Sequence, residues 1–489
     1  MNGLLLDFHK TASDGGTHSP DAELLWTDLE LQKILETMAQ GDPVILEIAR
    51  EVLLQPLTDA EEILQRQDVL RDCLAHPAAV KEVYQKLTDT LEEKKNSLWW
   101  LKSSLPSSRF CSAVEQLKGY HHCLRFLRSF VDQSEGAFQS AGFHRFFRQI
   151  QTQLDDDFLH QTEKLIRELD LQDGVLMELT LDHRQRAAGY HLVRKNTKNF
   201  RLHWAFAPGF SLTEQDETGA KDLQARNDMA LWCSADLLSA SAAYIENFLR
   251  ILRRELAFYL GAVHLKKEME KRHIPCCFPV VEANPGDRSF RDLQDLSLAL
   301  RIDRCVGNDL QAAGKLLYVV TGANQGGKTT FLRSLGQAQV LAQCGLFVAA
   351  EEYTTHISQG VFTHFNREED EKLRSGKLDE ELQRLDTLIS QMKPGSLLLC
   401  NESLSSTNER EGSEICRQIT MALLEHQIEQ VHVTHLYTFA HQLEKEKRRD
   451  ILFLKSERSE DGSRSFRICP GAPEQTAFGE DLYRKVWRC

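Results

Sequence analysis

The sequence predicts a helical domain that carries a small β insertion, followed by an α/β domain built on a mostly parallel sheet. Three observations lead there. Residues 21–171 are dominated by Leu, Glu, Gln, Lys and Arg, and their prolines (Pro43, Pro56, Pro77, Pro106) fall at plausible helix breaks. The segment 222–260 contains neither glycine nor proline. From Leu316 onward, short apolar runs alternate with helical stretches, the pattern of strands joined through helices on a sheet's faces.

The chain has 489 residues, 42% of them hydrophobic, enough to bury a large core in two or more domains. A net charge of -13 excludes a protein that coats nucleic acid through overall charge, so any such contact must be local. Twelve cysteines are scattered without a CxxC pair or a spacing suited to a metal, which predicts a reduced, cytoplasmic protein. The adjacent Cys276 and Cys277 read as core or strand residues. "MNGLLLDFHKTASDGG" lacks a secretory pattern, and no apolar run reaches 18 residues, so no membrane partner is expected.

In chain order, residues 1–21 read as a flexible segment and 22–272 as the helical domain. Within it, apolar positions Leu237, Tyr244, Ile245, Phe248, Leu252 and Tyr259 recur at helical spacing. A helix over 222–260 would be about 60 Å long, a strut or lever. In 190–206, Phe200, Leu202, Trp204 and Phe206 alternate with polar residues, which predicts a β-hairpin turning at 196–199 inside an insertion near 183–213. The α/β domain, 273–489, should hold strands at 316–321, near 346–349, at 396–400 and at 430–434. Helices are expected from Lys328, near 378–392 and near 408–427, with "ILFLK" and "SFRIC" closing the sheet's edge.

"LLYVVTGANQGGKTTFL", residues 316–332, is an apolar strand running through a glycine-rich turn into a helix. It fits GxxxxGK[ST], the loop whose bare backbone N–H groups and helix N-terminus cradle phosphates. Gly322, Asn324, Gln325, Gly326, Gly327, Lys328, Thr329 and Thr330 are the candidate ATP-binding set. Lys328 would reach the β- and γ-phosphates, and Thr329 would hold Mg²⁺.

"SLLLCNE" is a buried-type strand ending in Asn401-Glu402. ATPases of this layout end that strand in two acids, one ordering the magnesium shell and the next orienting or deprotonating the attacking water. Glu402 suits the second role. Asn401 offers the metal shell an acceptor oxygen without the charge, which predicts weaker metal binding and slow turnover. Thr434-His435 follows the strand "QVHV", and there His435 is either a γ-phosphate sensor or a structural histidine.

"TGANQGGKTTFLRSLG", "VAAEE", "VFTHF", "LLLCNESLSSTNEREGSEI" and "VHVTH" together resemble, in order and spacing, the ATPase domain of the DNA mismatch-repair MutS family. "LQRQDVLRDCL" (64–74) and the long helix ending at "KRHIPCCFPVVEA" resemble that family's helical core and lever. The resemblance implies an ATPase related to the ABC type, a homodimer with two composite ATP sites across its interface, and levers that carry the ATP state to a DNA-embracing clamp. Repair proteins are the implied further partners. It also implies that Asn324 touches the γ-phosphate, that Lys328, Thr329 and Glu402 keep the roles above, that His435 is the switch histidine, and that Thr407, Glu411 and Gly412 belong to an interface loop.

Departures from the family pattern carry their own expectations. Asn401 stands for an aspartate, Leu378 and Glu380 for a serine and a phenylalanine of a trans-acting loop, and Cys305 for a phenylalanine that stacks on adenine. No Phe-x-Glu occurs among residues 1–150, so no mismatch-reading wedge is expected in this sequence, and neither is a nuclease domain after the ATPase.

Between His183 and Thr213 lie six basic residues (Arg184, Arg186, Arg194, Lys195, Lys198, Arg201) and five aromatics, without Asp or Glu. The bases would neutralise the phosphates of duplex or branched DNA and the aromatics would stack on exposed bases. The alternative is an aromatic face packed on a helix with the basic face solvated. Two functions remain open at this point: an ATPase whose dimer closes on DNA, and an ATP-gated assembly module acting on a protein partner.

Overall fold

The structure, a computed structural model, describes residues 5, 20–97, 105–170, 177–185, 187–192, 213, 216–282, 286–366, 376–458 and 464–474. The chain divides into two compact units. One takes in the described residues of 1–12 and 78–256, and the other those of 13–77 and 257–489.

The first unit is mostly helical. It contains α5 (Pro77–Ser97), α6 (Pro106–Gln133), α7 (Ala141–Gln153), α8 (Asp156–Leu169), the hairpin β1 (Met177–Leu181) and β2 (Ala187–Leu192), and α9 (Glu217–Lys271) as far as Leu256. Ser140 and Asp155 cap α7 and α8 by accepting from the N–H groups of Phe143 and Phe158. Phe130, Phe138 and Phe147 interlock edge to face where α6 meets α7, and the Phe143 ring packs tilted against Phe147. Phe110 and Val114 of α6 bury against Leu231 and Ala235 of α9, with Leu192 of β2 packed alongside. Arg226 of α9 lies over the Tyr190 ring at 5.8 Å, tying the hairpin to the helix.

The second unit begins with α1 (Pro20–Asp28), α2 (Gln32–Ala39), α3 (Pro43–Leu53) and α4 (Ala60–Ala75). A four-stranded sheet combines β3 (Val280–Glu282), β4 (Arg288–Leu293), β5 (Asn308–Ala312) and β7 (Glu352–His356), with a short α10 (Leu296–Ala299) beside it. The second sheet has six strands in the order β12-β11-β6-β10-β9-β8. They are β6 (Leu317–Thr321), β8 (Val361–Phe365), β9 (Leu397–Asn401), β10 (Glu429–Val433), β11 (Ile451–Arg458) and β12 (Arg464–Pro470). All its pairings are parallel except β11 with β12. Helices α11 (Lys328–Gln343), α12 (Lys377–Gln391), α13 (Glu409–Glu425) and α14 (Tyr437–Lys445) connect or cover the strands.

The early helices belong with these sheets. Gln337 of α11 donates to the Leu29 carbonyl, Arg333 pairs with Glu30 and Asp295, and Leu29 packs over Gly336. At the core, Arg288 of β4 donates to both carboxylate oxygens of Glu429 on β10, and also to Gln339 and the Tyr353 hydroxyl. Both ionic side chains are 1% exposed, so this network ties the two sheets together.

The structure departs from the sequence expectations in several places. Residues 346–349 form no strand: this buried run makes an isolated bridge from Val348 to Cys277, and the strand lies later, at β7. An apolar run that is buried all round carries no periodicity to distinguish strand from packed loop. The helix expected over 222–260 extends from Glu217 to Lys271, 55 residues. The described hairpin is β1–β2, with its turn near Asp182–Gln185, whereas the expected turn at 196–199 lies outside the described residues.

Candidate nucleotide-binding site

Strands β6 and β10 are buried along their whole length, and the register pairs Val433 with both Val320 and Asn401. The carboxyl ends of β6, β10 and β9 therefore lie level, at the sheet edge where open α/β folds bind ligands. The segments that follow them are Gly322–Gly327, Thr434-His435 and Glu402.

The Gly322–Gly327 loop leaves β6 and returns as α11. Gly327 sits at the helix's N-cap with φ 88°, in the left-handed region where a side chain would be strained. Lys328 is 5% exposed, and its Nζ donates to the carbonyls of Gly322 at 2.8 Å and Ala323 at 3.0 Å. Burial pulls its pKa below the ordinary lysine range, and the Glu402 carboxylate acts in the opposite direction.

Thr329 Oγ1 donates to Asn401 Oδ1 at 3.1 Å, so two hard oxygen donors on different elements adjoin. Next to them, Glu402 has φ 56°, and its N–H donates to the Val433 carbonyl at 2.8 Å. Its Oε2 lies 2.5 Å from His435 Nε2, and both side chains remain partly open to solvent. Among the described residues no cluster of three or more His, Cys, Asp or Glu side chains is arranged to hold a metal.

A cavity of about 770 Å³ is lined by residues 324–330, Glu402 and His435, with an apolar wall that includes Leu298, Ile302, Val306 and Phe466. Cys305 also lines it, and burial pushes its thiol up to about 11. Gly322 does not line the cavity; its carbonyl is the nearer of the two that accept from Lys328 Nζ.

Sequence reasoning missed two contributors from the sheet edge. Phe466, 49% exposed and with φ 61°, faces the cavity, and Arg464 Nη1 donates to Gln325 Oε1 at 3.2 Å. "SFRIC" signals an edge strand, and nothing in its pattern tells that this strand crosses the phosphate loop.

After β9, Asn408 caps α13 by accepting from the Glu411 N–H, and Thr407 donates to the Glu411 carboxylate at 2.7 Å. A Cβ on Gly412 would meet the Leu404 carbonyl oxygen at 2.6 Å, so only glycine lets α13 approach this loop. Leu378 packs against the cluster around Phe439 and Leu443, while Glu380 is exposed. Of the basic set, Arg184 is exposed in the β1–β2 turn, in the other unit; Arg186, Arg194, Lys195, Lys198 and Arg201 lie outside the described residues.

Comparison with known proteins finds two family models on this chain. Residues 58–272 match the MutS2 N-terminal domain, and residues 318–476 match MutS domain V. A DNA mismatch repair protein MutS from Synechocystis is 23% identical over 483 residues, covering 88% of this chain and 53% of its own length. An endonuclease MutS2 from Thermus thermophilus is 33% identical over 120 residues, 24% of this chain and 16% of its own. The human MutS protein homolog 4 is 28% identical over 134 residues, 27% of this chain and 14% of its own. The chain thus spans about half, or less, of the length of these relatives.

Proposed function

We propose that this chain, which belongs to the MutS family, binds ATP at residues 322–330, hydrolyses it, and couples that cycle to DNA binding in repair or recombination. The observation that carries the reading is the 2.5 Å pair of Glu402 and His435, facing the same cavity as the phosphate loop. Glu402 would take the proton of the attacking water, and His435 would hold that carboxylate and contact the γ-phosphate. Lys328 would exchange its loop carbonyls for phosphate oxygens, and Asn324 would touch the γ-phosphate.

The neighbouring oxygens of Thr329 and Asn401 fit a magnesium ion that also binds substrate phosphates. When bound, Mg²⁺ would offset charge on the phosphates. Both donors are neutral, which supports slow turnover. The chain would act as a homodimer, with Thr407, Glu411 and Gly412 at the interface. Its division would be a helical core and lever over 22–272 and an ATPase domain over 273–489. Unpaired cysteines among the described residues favour a reducing, cytoplasmic setting; among those residues no helix is long and apolar enough to cross a membrane.

A second reading, an ATP-gated module gripping a protein partner, is favoured by Trp232, Leu237 and Tyr244, each more than half exposed on α9. ATPase rates measured against duplex, branched and single-stranded DNA, with the Arg194→Ala/Lys195→Ala variant beside them, test the choice. DNA-stimulated turnover that this variant loses supports the first reading, and turnover indifferent to every DNA overturns it. Wild-type turnover by Lys328→Ala would remove the phosphate-loop assignment itself.

A further inference from the structure

The proposed base and a residue two positions on hold unusual backbone. Glu402 and Leu404 both lie in the left-handed region, at φ 56° and 59°, on either side of Ser403. A stretch like this persists only where its surroundings fix it, and here they are polar and buried. Ser403 Oγ donates to the His364 carbonyl at 2.8 Å and lies 2.7 Å from His364 Nδ1. The two ring nitrogens of His364 thus bridge the serine loop and α12, with Nδ1 at Ser403 Oγ and Nε2 at 3.2 Å from the Glu381 carbonyl oxygen. Arg384 Nη2 donates to the Phe365 carbonyl at 2.9 Å and lies 3.2 Å from His364 Nε2. His364 is 0% exposed and Ser403 6%.

The same loop is held twice more. Asn366 Nδ2 donates to Ser405 Oγ at 2.7 Å, and Ser406 Oγ donates to Glu381 Oε2 at 3.0 Å. Glu381, on α12, is 4% exposed, and its Oε1 has no hydrogen-bond partner among the described residues. A buried carboxylate is retained here although an apolar side chain would avoid its desolvation cost.

We propose that His364 and Glu381 are positioning residues for the Glu402 carboxylate, acting through Ser403 and Ser406. The proposal rests on the reading of Glu402 as general base. The serine loop is clamped from β8 and α12, so the carboxylate's aim depends on where those two elements sit.

The test is steady-state ATP hydrolysis by the full chain, with melting temperatures to establish folding. His364→Ala and Ser403→Ala should lower kcat by about tenfold to a hundredfold, the scale of a small misplacement, while KM for ATP moves by less than about twofold. Glu381→Gln and Ser406→Ala should lower kcat by about threefold to tenfold on the same grounds, again at near-constant KM. His364→Asn, whose amide can replace Nδ1 as the partner of Ser403 Oγ, should recover most of the loss. In a Glu402→Gln background the His364→Ala effect should vanish, because both changes act on one carboxylate.

A folded His364→Ala with wild-type kcat, a change confined to KM, failure of His364→Asn to rescue, or full additivity with Glu402→Gln would each overturn the proposal. Wild-type kcat in both Glu381→Gln and Ser406→Ala would remove the α12 arm. Should His364→Ala not fold, Ser403→Ala carries the same expectation. Wild-type turnover by Glu402→Gln alone would instead identify a failure of the base assignment.

Discussion

Glu402 Oε2 and His435 Nε2 approach to 2.5 Å from the ends of adjacent parallel strands, β9 and β10. Neither side chain is sealed from solvent, and both face the cavity that the phosphate loop lines. A carboxylate held by one hydrogen-bonded partner keeps a second oxygen available for a water.

Removing the basicity of that carboxylate while keeping its shape should therefore stop chemistry without stopping binding. Glu402→Gln is expected to lower kcat by about 10²- to 10⁴-fold, the usual worth of a general base, and to leave nucleotide affinity nearly unchanged. Single-turnover hydrolysis alongside equilibrium ATP binding separates the two. An equal loss in both would place Glu402 in binding.

Thr329 and Asn401 make the adjoining prediction. Their 3.1 Å contact brings together two neutral oxygens where a carboxylate would supply charge. Asn401→Asp should lower the Mg²⁺ concentration that gives half-maximal turnover. An Mg²⁺ titration identical to that of the unaltered protein would show that the missing charge does not limit the metal.

The strand, glycine turn and helix around Lys328 were legible because each signal is local: an apolar run, glycines where φ must be positive, and a helix start. The same holds for the strands ending at Asn401 and Val433. The His364–Ser403 contact, the crossing of the phosphate loop by Phe466 and the Arg288–Glu429 pair were not legible. Each joins residues far apart in sequence: strand pairing brings the first two together and the packing of one sheet against the other the third, and the sequence encodes neither locally. The strand expected at 346–349 failed for a related reason, since complete burial erases the alternation that marks a half-exposed strand.

Gly412 offers a test of the loop's packing. An added Cβ would meet the Leu404 backbone oxygen at 2.6 Å, and no flexible side chain there can give way. Gly412→Ala should force the loop from α13, lowering stability by about 1–3 kcal/mol and depressing kcat through Glu402. Unaltered urea midpoint and kcat would mean that the loop relaxes freely.

The Arg288–Glu429 pair sets how the protein responds to acid. Burial alone would raise the Glu429 pKa, but Arg288 and His356 outweigh it and hold the carboxyl down at about 2. With the folded pKa below the unfolded one, the pair contributes fully above about pH 4.5; as pH falls further, the unfolded chain takes up the proton first and the contribution is lost. Glu429→Gln should cost about 3–5 kcal/mol at neutral pH, because the Arg288 charge then stays buried without its counterion. The gap from the unaltered protein should narrow as urea unfolding is repeated from about pH 5 down to about pH 3. The Arg288→Met/Glu429→Leu double variant should lose far less than Glu429→Gln, since it buries no uncompensated charge. A pH-independent gap would mean that the pair does not carry the acid sensitivity, and a double variant as unstable as the single one would mean that lost packing, not the orphaned charge, sets the cost.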